Sequence, residues 1–357
     1  MKGGWTKKKL GEILKLEYGK PLSREKRKDN GRYPVYGANG EIARTDEYYY
    51  DRPSIIIGRK GSAGEINLSE MKFWPLDVTY YVTFDDQKFD RSFIYYLLKT
   101  LDLKSLAKGV KPGINRNEVY SIGISYPSLS DQRRIVVILD EAFAAIDKSI
   151  QNTRKNLQNV RELFSSHAQQ IFLNNEYEWK KVNLGNICEN LDSKRIPITK
   201  RDRKKGKYPY YGASGIVDYV NDYIFNEDLL LVSEDGANLL TRTYPIAFSI
   251  SGKTWVNNHA HVLRFNNIYI QKFVEFYLNS IRLDLYISGM AQPKLNQKQL
   301  CLIKIPYPNF DTMKKIVDNQ NSLIFATKNL EKIYQQKLAE LEELRKSLLH
   351  KAFMGNL

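Results

Sequence analysis

Two long stretches of the chain carry apolar residues mostly at every third or fourth position, the spacing of one face of an α-helix. The first runs from Asp131 to about Leu173 and contains neither Pro nor Gly, and the second runs from Asp311 to about Phe353. Roughly forty residues at about 1.5 Å each make a helix on the order of 60 Å long, beyond the usual globular length. Each helix therefore needs a partner, and we expect the two to pair.

The apolar residues of these helices predict where they meet. In the second helix Leu330, Tyr334, Lys337, Leu341, Leu344 and Leu348 step by four and three alternately, which is a heptad pattern with one polar interruption. The residues predicted at the coiled-coil interface or at an interface with another subunit are Ile135, Leu139, Ile146, Leu157, Val160, Phe164, Leu330, Leu341, Leu344 and Leu348.

The rest of the chain is an internal repeat. The segment from Trp5 to Ile13 returns at 179–187, and Tyr33-Pro34-Val35-Tyr36-Gly37-Ala38 returns as Tyr208-Pro209-Tyr210-Tyr211-Gly212-Ala213. A Pro-x-x-Asn segment ending at Asn115 has its counterpart ending at Asn296. The chain is thus two copies of one unit, each a globular portion followed by a long helix.

Within each globular portion the pattern is mixed. Short apolar and aromatic runs between Gly-rich and Pro-rich turns predict strands at 54–57, 78–82, 229–232 and 261–263, and helical spacing predicts helices at 93–101 and 273–283. We place the segment boundaries at 1–128 for the first globular domain, 129–174 for the central helix, 175–309 for the second globular domain and 310–357 for the C-terminal helix.

The net charge of the chain indicates what class of partner it binds. The 357 residues include 55 Lys and Arg against 40 Asp and Glu, a net charge of +15, which favours nucleic acid or another anionic surface. There is no run of eighteen apolar residues and no signal-peptide segment, and the two cysteines fit a reducing compartment. We expect a cytoplasmic protein whose cysteines are small buried side chains.

Basic residues cluster at equivalent places in the two copies, between the Leu-Gly and Tyr-Pro markers. An ordinary solvated loop is the alternative, but placement in both copies favours contact with phosphate groups. The residues are Lys20, Arg24, Lys26, Arg27, Lys28 and Arg32 in the first copy, and Lys194, Arg195, Lys200, Arg201, Arg203, Lys204, Lys205 and Lys207 in the second.

A second pair of segments has opposite charge in the two copies. Arg59 and Lys60 in the first stand where Glu234 and Asp235 stand in the second. Arg and Lys suit guanine acceptors, whereas acidic and amide side chains suit cytosine or adenine donors, so these segments either read different bases or are plain turns. Further predicted DNA contacts are Lys111, Asn115, Asn238, Arg242, His259, Lys294 and Asn296.

Signals for catalysis are weak. Ser251-Gly252-Lys253-Thr254 resembles the end of a phosphate-binding loop but lacks the first Gly of that motif, since Ala247 stands there. His259 and His261 would share one face of a short strand, yet no further His or Cys cluster supports a metal. We therefore predict no catalytic residue, no metal site and no cofactor on this chain.

The order of motifs resembles the specificity subunit of type I restriction-modification systems. The motifs are Trp-x-x-x-x-Leu-Gly, Tyr-Pro-x-Tyr-Gly-Ala, Pro-x-x-Asn, an Ile-x-x-Pro strand leading into Asp131-Gln132-Arg133-Arg134-Ile135, and the ending Ser347-Leu348-Leu349-His350-Lys351-Ala352-Phe353-Met354-Gly355-Asn356-Leu357. The resemblance spans nearly the whole chain and includes the duplication.

The resemblance implies an α+β fold with an internal pseudo-two-fold repeat, in which two similar α/β target recognition domains are separated by two long helices that pair as an antiparallel coiled coil. It also implies a non-catalytic subunit that binds a bipartite, asymmetric double-stranded DNA site. Its implied partners are methyltransferase subunits, two of them, and restriction and translocase subunits, which would carry S-adenosylmethionine, ATP and Mg2+. The alternatives are a coiled-coil scaffold whose globular domains bind proteins, and a stand-alone nuclease or methyltransferase, which the missing motifs disfavour.

Overall fold

The computed structural model describes residues 4–173, 179–289 and 291–356, and of residues 164, 165, 168, 169 and 173 only the backbone. Contacts divide the chain into two units. The first comprises residues Met1–Thr153 and Gln336–Leu357, and the second comprises Arg154–Gln335. Each unit therefore contains one globular copy of the repeat together with one half of each long helix.

The first unit is built on three small sheets, with strand orders β1-β9, β2-β8-β5-β6 and β4-β3-β7. Its strands are β1 (Thr6–Lys9), β2 (Leu14–Tyr18), β3 (Tyr33–Gly37), β4 (Gly40–Thr45), β5 (Ser54–Gly58), β6 (Ile66–Ser69), β7 (Trp74–Pro75), β8 (Thr79–Phe84) and β9 (Gly123–Tyr126), and its short helices are α1 (Arg91–Thr100) and α2 (Arg116–Tyr120). The long helix α3 (Leu129–Leu173) follows β9.

The second unit has the same plan, with strand orders β10-β19, β11-β18-β15-β16 and β13-β12-β17-β14. Its strands are β10 (Lys180–Asn183), β11 (Glu189–Asn190), β12 (Lys205–Gly212), β13 (Gly215–Val220), β14 (Phe225–Asn226), β15 (Leu229–Ser233), β16 (Ala247–Ile250), β17 (Lys253–Val256), β18 (Ala260–Arg264) and β19 (Lys304–Tyr307). Its helices are α4 (Asn238–Thr241), α5 (Ile268–Ser280) and α6 (Gln297–Leu302), and the long helix α7 (Phe310–Phe353) ends the chain.

The repeat is visible in the strand pairing. The parallel pair β3·β7 joins Tyr36 to Pro75, and the parallel pair β12·β17 joins Tyr211 to Val256. The predicted fold class is confirmed in its mixture of helix and sheet and in its duplication. The strands predicted at 54–57, 229–232 and 261–263 lie within β5, β15 and β18. The strand predicted at 78–82 begins one residue later, at Thr79, and the helix predicted at 93–101 ends one residue earlier, at Thr100. The helix predicted at 273–283 begins earlier, at Ile268, because Asn267 caps it, and it ends at Ser280.

Both long helices begin at equivalent capping residues. The Ser128 hydroxyl accepts a hydrogen bond from the Asp131 amide, and the Asn309 side chain accepts one from the Thr312 amide, at 3.3 and 2.9 Å. Such caps satisfy backbone donors that have no partner within the helix. They explain why α3 begins two residues before Asp131 and α7 one residue before Asp311.

Within each unit the halves of α3 and α7 pack in antiparallel order. In the first unit Asp147 pairs with Arg345, whose guanidinium lies 5.2 Å from the Phe143 ring centroid. In the second unit the Arg161 and Glu331 side chains lie 2.7 Å apart, and Gln320 contacts His167 at 3.1 Å. As the residue number rises along α3, the partner number falls along α7, as the antiparallel pairing requires.

The contact stripe of α7 differs from the predicted heptad. Leu341 and Leu348 are half-buried as predicted, whereas Leu330 and Leu344 are 40% and 47% exposed. Leu338 and the ion-paired residues Glu331 and Arg345 are half-buried instead. Leucine spacing alone does not register the charged residues that α3 pairs across the contact, and the place of Leu330 and Leu344 in a coiled-coil or subunit interface stays a prediction.

On α3 the predicted stripe holds where side chains are described. Ile135, Leu139 and Ile146 are buried, and Leu157 and Val160 are half-buried, while the side chain of Phe164 lies outside the described residues. The start of α3 and the end of α7 join the first unit's core through Leu139 and Ala352. The second unit's core takes in Met313 and Val317 from α7. Among the described residues, no helix has the length and apolar character needed to cross a membrane.

The cysteines are only partly buried. Cys188 and Cys301 are both free thiols of intermediate exposure, so they are less buried than expected. Desolvation raises the pKa of Cys188 to about 12, and this thiol therefore stays protonated at neutral pH.

Candidate nucleic-acid interface

Two loops of the first unit are tied together by backbone hydrogen bonds. The Gly61 amide donates to the Pro112 carbonyl at 2.8 Å, and the Ile114 amide donates to the Arg59 carbonyl at 3.1 Å. Gly61 has φ +81°, a conformation that side chains disfavour. We call residues 58–64 and 107–115 the first loop pair.

The second unit repeats this frame. The Gly236 amide donates to the Pro293 carbonyl at 3.1 Å, and the Leu295 amide donates to the Glu234 carbonyl at 2.8 Å. Gly236 has φ +105°, matching Gly61. Residues 233–239, 288–289 and 291–296 form the second loop pair, so the two segments of opposite charge sit on equivalent backbone frames in their own units.

In the first loop pair the charged side chains are basic. The Arg59 guanidinium donates through Nε and Nη2 to the Asp77 carbonyl at 3.1 and 2.7 Å and lies 5.3 Å from the Tyr18 ring centroid. Lys60 and Lys111 are exposed. Arg116, which sequence reasoning missed, faces the same Tyr18 ring from α2 at 5.1 Å. This surface presents arginine and lysine side chains beside an exposed aromatic ring.

Around the second loop pair, acidic and basic side chains form an ion-pair network. His261 Nδ1 lies 2.6 Å from Asp192, and its Nε2 lies 2.7 Å from the Leu295 carbonyl. Arg195 donates to Glu234 at 2.6 Å, and Lys294 Nζ lies 3.2 Å from the same carboxylate. Acidic and basic side chains here neutralise one another inside the unit.

The pKa values of the two carboxyls follow from these contacts. Burial alone raises the pKa of Asp192, but hydrogen bonds from His261 and from the Val262 amide outweigh it and leave the pKa below its usual 3.8. At Glu234, burial also raises the pKa, but the hydrogen bond from Arg195 and the charge of His261 outweigh it, and the pKa lies below its usual 4.5. Both groups are therefore carboxylates at neutral pH.

The grouping of Asp192, Glu234 and His261 was not expected from the sequence. Their potential ligand atoms lie within 4.8 Å of one another, a spacing that could suit a metal ion. Arg195 and Lys294 already compensate the carboxylates, however, so the arrangement is that of an ion-pair network.

His259 and His261 differ in environment. His261 is buried, whereas His259 precedes β18, is about half exposed and contacts the Asp235 carboxylate at 2.8 Å. The expectation that they act from one face of a strand was wrong. His259 remains a candidate contact on the outer surface of the second loop pair, and His261 is part of the interior.

Three predicted contact residues are asparagines with structural roles. Asn115 caps α2 by accepting from the Asn117 amide at 2.9 Å, and Asn296 caps α6 by accepting from the Gln299 amide at 3.0 Å. Asn238 bonds both backbone groups of Tyr244. The Pro-x-x-Asn repeat is therefore a helix-start signal. Asn238 uses both amide atoms internally, and its assignment to DNA is corrected. Asn115 and Asn296 are exposed and cap through Oδ1 alone, so their assignment to DNA stays a prediction.

Three predicted arginine contacts are likewise engaged within the second unit. Arg195 is only 13% exposed, and Arg203 is 19% exposed, pairs with Asp218 and stacks on Tyr210. Arg242 donates to the Leu278 and Ile281 carbonyls at the end of α5. A guanidinium bound to internal acceptors has no fork left for phosphate, so these three assignments are corrected.

The remaining basic residues lie on exposed surface. Lys26 and Lys28 form exposed ion pairs with Glu47 and Asp46, contacts that are weak enough to exchange for a phosphate, while the half-buried Arg27 donates to the Leu22 carbonyl. Lys205 and Lys207 lie in strand β12 rather than in a loop. The exposed set available for phosphate contact is Lys20, Arg24, Lys26, Lys28, Arg32, Lys194, Lys200, Arg201, Lys204, Lys205 and Lys207.

The phosphate-loop resemblance has no structural counterpart. Ser251 and Gly252 form the turn between β16 and β17, and Lys253 starts a strand, with its ammonium 4.7 Å from the Tyr223 ring. A nucleotide-binding loop would lead into a helix N-terminus. The residues therefore form a connection between two strands of different sheets.

A family model described as the type I restriction modification DNA specificity domain matches residues 2–158 and again 176–343. A type I restriction enzyme specificity subunit of Escherichia coli, EcoDI, is 22% identical across 99% of this chain and 88% of its own length. A protein of Haemophilus influenzae named as a type I restriction enzyme specificity subunit is 33% identical over 153 residues, and this match spans only 38% of that protein.

Solved structures share the fold. The HsdS subunit of Thermoanaerobacter tengcongensis aligns over 100% of this chain and 98% of its own, with a TM-score of 0.65 and 16% identity. A chain from a structural study of complex assembly and conformational transition in the type I R-M system aligns over 100% and 99%, with a TM-score of 0.75 and 15% identity.

Proposed function

Because the chain belongs to the family of type I restriction-modification DNA specificity subunits, we propose that it reads a bipartite, asymmetric double-stranded DNA site, one half-site per globular domain. The observation that carries the proposal is the pair of equivalent loop frames. Both units hold two loops together with the same backbone hydrogen bonds, but they present different side chains on them. A shared frame with divergent side chains suits two readers of different sequences.

The basic residues outside the loop pairs would bind the DNA backbone. Exposed lysines and arginines neutralise phosphates and release counterions, a contribution that does not depend on sequence. Lys204 and Lys205 are exposed and have no ion pair among the described residues, so their ammonium groups are available. In this proposal they hold the second domain on the duplex while its loops face the bases.

The long helices would fix the distance between the half-sites and dock the partner subunits. Methyltransferase subunits, two of them, would bring S-adenosylmethionine, and restriction subunits would bring ATP and Mg2+. This chain would contribute recognition and no catalytic group, and the complex would act on DNA in the cytoplasm. A rigid spacer between two readers makes the number of unread base pairs part of the specificity.

A salt titration of duplex binding tests the proposal. The chain, co-purified with the methyltransferase encoded beside it, is titrated with duplex DNA at several salt concentrations, as wild type and as the double variant Lys204→Ala and Lys205→Ala. We expect affinity to fall steeply with salt, and the variant to reduce the log–log slope by about 2. The charge-matched control, Lys180→Ala with Lys181→Ala, changes two exposed lysines of β10 outside the predicted DNA contacts and should leave the slope unchanged.

A flat salt response of the wild-type complex would contradict DNA binding. It would instead favour the scaffold alternative, in which the globular domains bind proteins.

A further inference from the structure

Two guanidinium groups converge on one exposed ring in the first unit. The guanidinium carbons of Arg59 and Arg116 lie 5.3 and 5.1 Å from the centroid of Tyr18, whose side chain is 46% exposed. Arg59 follows β5, whereas Arg116 is the first residue of α2. The Ile114 amide, bonded to the Arg59 carbonyl, ties the two segments together.

The two arginines differ in the hydrogen bonds that their guanidinium groups make. Arg59 donates through Nε and Nη2 to the Asp77 carbonyl, which fixes the orientation of its side chain. Within the described residues, the Arg116 side chain makes neither a hydrogen bond nor an ion pair, and neither guanidinium has a carboxylate at ion-pair distance. Arg116 therefore keeps its whole donor fork free, and the Tyr18 ring holds it in place.

The second unit shows that the fold does not need this pair. Asp192 lies at the position of Tyr18 and Glu234 at that of Arg59, and Gln297, the first residue of α6, lies at that of Arg116. The same frame forms there with its charges neutralised internally. Two close, uncompensated positive charges in one copy alone indicate a ligand rich in acceptors instead of a packing requirement.

We propose that Arg116, stacked on Tyr18 beside Arg59, reads a guanine in the half-site of the first domain by donating paired hydrogen bonds to N7 and O6. The planar fork of arginine matches those two acceptors in the major groove, and a ring beneath it limits its rotation. The assignment rests on the proposed DNA-recognition function. Phosphate oxygens offer the guanidinium a similar acceptor pair, so the test must separate the two sources.

The test uses the co-purified complex and duplexes of the motif that it methylates. Each guanine of the first half-site is replaced in turn by 7-deazaguanine, which lacks the N7 acceptor. Wild-type affinity should fall about tenfold or more at one position. Arg116→Ala should lose a similar factor on the unmodified duplex and lose nothing further on that one modified duplex. Arg116→Lys, which keeps the charge but not the fork, should not restore the affinity.

Matched controls keep a folding defect apart from a reading defect. Gln297→Ala alters the equivalent exposed position of the second unit and should leave the 7-deazaguanine profile unchanged. In Arg116→Ala, single base-pair changes in the other half-site should cost as much as in the wild type.

Three results would overturn the assignment. The first is a half-site of the first domain that contains no guanine, and the second is an Arg116→Ala variant that keeps the wild-type 7-deazaguanine sensitivity. The third is a loss of affinity in Arg116→Ala that is uniform across the duplexes and that Arg116→Lys restores, which would indicate a phosphate contact. If the wild-type complex has no sequence preference at all, the proposed function itself fails.

Discussion

Tyr80 and His261 make the same hydrogen bond at equivalent positions of the two units. The Tyr80 hydroxyl donates to the Ile114 carbonyl at 3.4 Å, and His261 Nε2 contacts the Leu295 carbonyl at 2.7 Å. Each side chain thereby connects its domain's sheet to the second loop of its loop pair. Both units thus share this contact, whereas the side chains around it are aromatic and basic in the first unit and acidic and ion-paired in the second.

The network around His261 predicts acid sensitivity in the second unit. The pKa values of Asp192 and Glu234 lie below their usual 3.8 and 4.5 in the folded chain. Their stabilisation is therefore present above those usual values and is lost as the pH falls through the lower folded-state values. In denaturant titrations at neutral pH, Asp192→Asn should lower the free energy of unfolding by about 3 kcal/mol, since it removes the carboxylate that Arg195 and the buried His261 contact.

The difference between Asp192→Asn and wild type should shrink as the pH falls below about 4. The exposed Asp228→Asn serves as control and should change stability by less than about 0.5 kcal/mol. A cost for Asp192→Asn that stays constant down to low pH would show that the carboxylate charge is not what stabilises this site.

The observed contact stripe of α7 predicts unequal costs for two neighbouring leucines. Leu341 is half-buried and Leu344 is 47% exposed. Leu341→Ala should lower the free energy of unfolding by about 1.5 kcal/mol, a partial version of the usual core cost, and Leu344→Ala by less than about 0.5. Equal costs in a denaturant titration would restore the heptad inferred from leucine spacing.

Asn115 and Asn296, which cap α2 and α6, are expected to matter for stability and not for DNA affinity. Asn296→Ala removes the acceptor for the Gln299 amide and should cost about 1 kcal/mol. Asn296→Ser keeps a capping oxygen and should retain both stability and DNA affinity. A stable Asn296→Ser variant that loses affinity at one base pair would contradict this expectation and support a base contact by Asn296.

The spacer role of the helices predicts a change in the gap between half-sites. Seven residues inserted after Ile150 need seven more in α7 after Glu342, because Asp147 pairs with Arg345 and a one-sided insertion would break the antiparallel match. Two turns add about 10 Å, close to three base pairs. The methylated motif should keep both half-sites and gain about three unread base pairs. Altered half-sites with an unchanged gap would contradict the spacer role.

The fold was largely predictable because its signals are local or repeated. The strand at Ser54–Gly58 is a run of apolar residues, and both long helices show helical periodicity without a breaker. The duplication could be found by comparing the chain with itself. The pattern could not predict which residues of α7 face α3. Glu331 and Arg345 become contact residues only because of ion-pair partners that are far away in sequence.

The candidate site was less predictable for a related reason. A run of basic residues gives no information on which cations meet internal acceptors, so Arg195 and Arg242 were read as surface charges. Asp192 and His261 are far apart in sequence and look unremarkable separately. The repeat held a usable signal. Aligning the two copies strand by strand places Asp192 at the position of Tyr18 and His261 at the position of Tyr80.

The most direct test of the central claim is a genome-wide methylation map of a host that carries the neighbouring methyltransferase gene with or without this chain. The account predicts adenine methylation at one gapped, asymmetric motif that appears only when this chain is present. Methylation that does not depend on the chain, or that falls on a continuous motif without a gap, would contradict it.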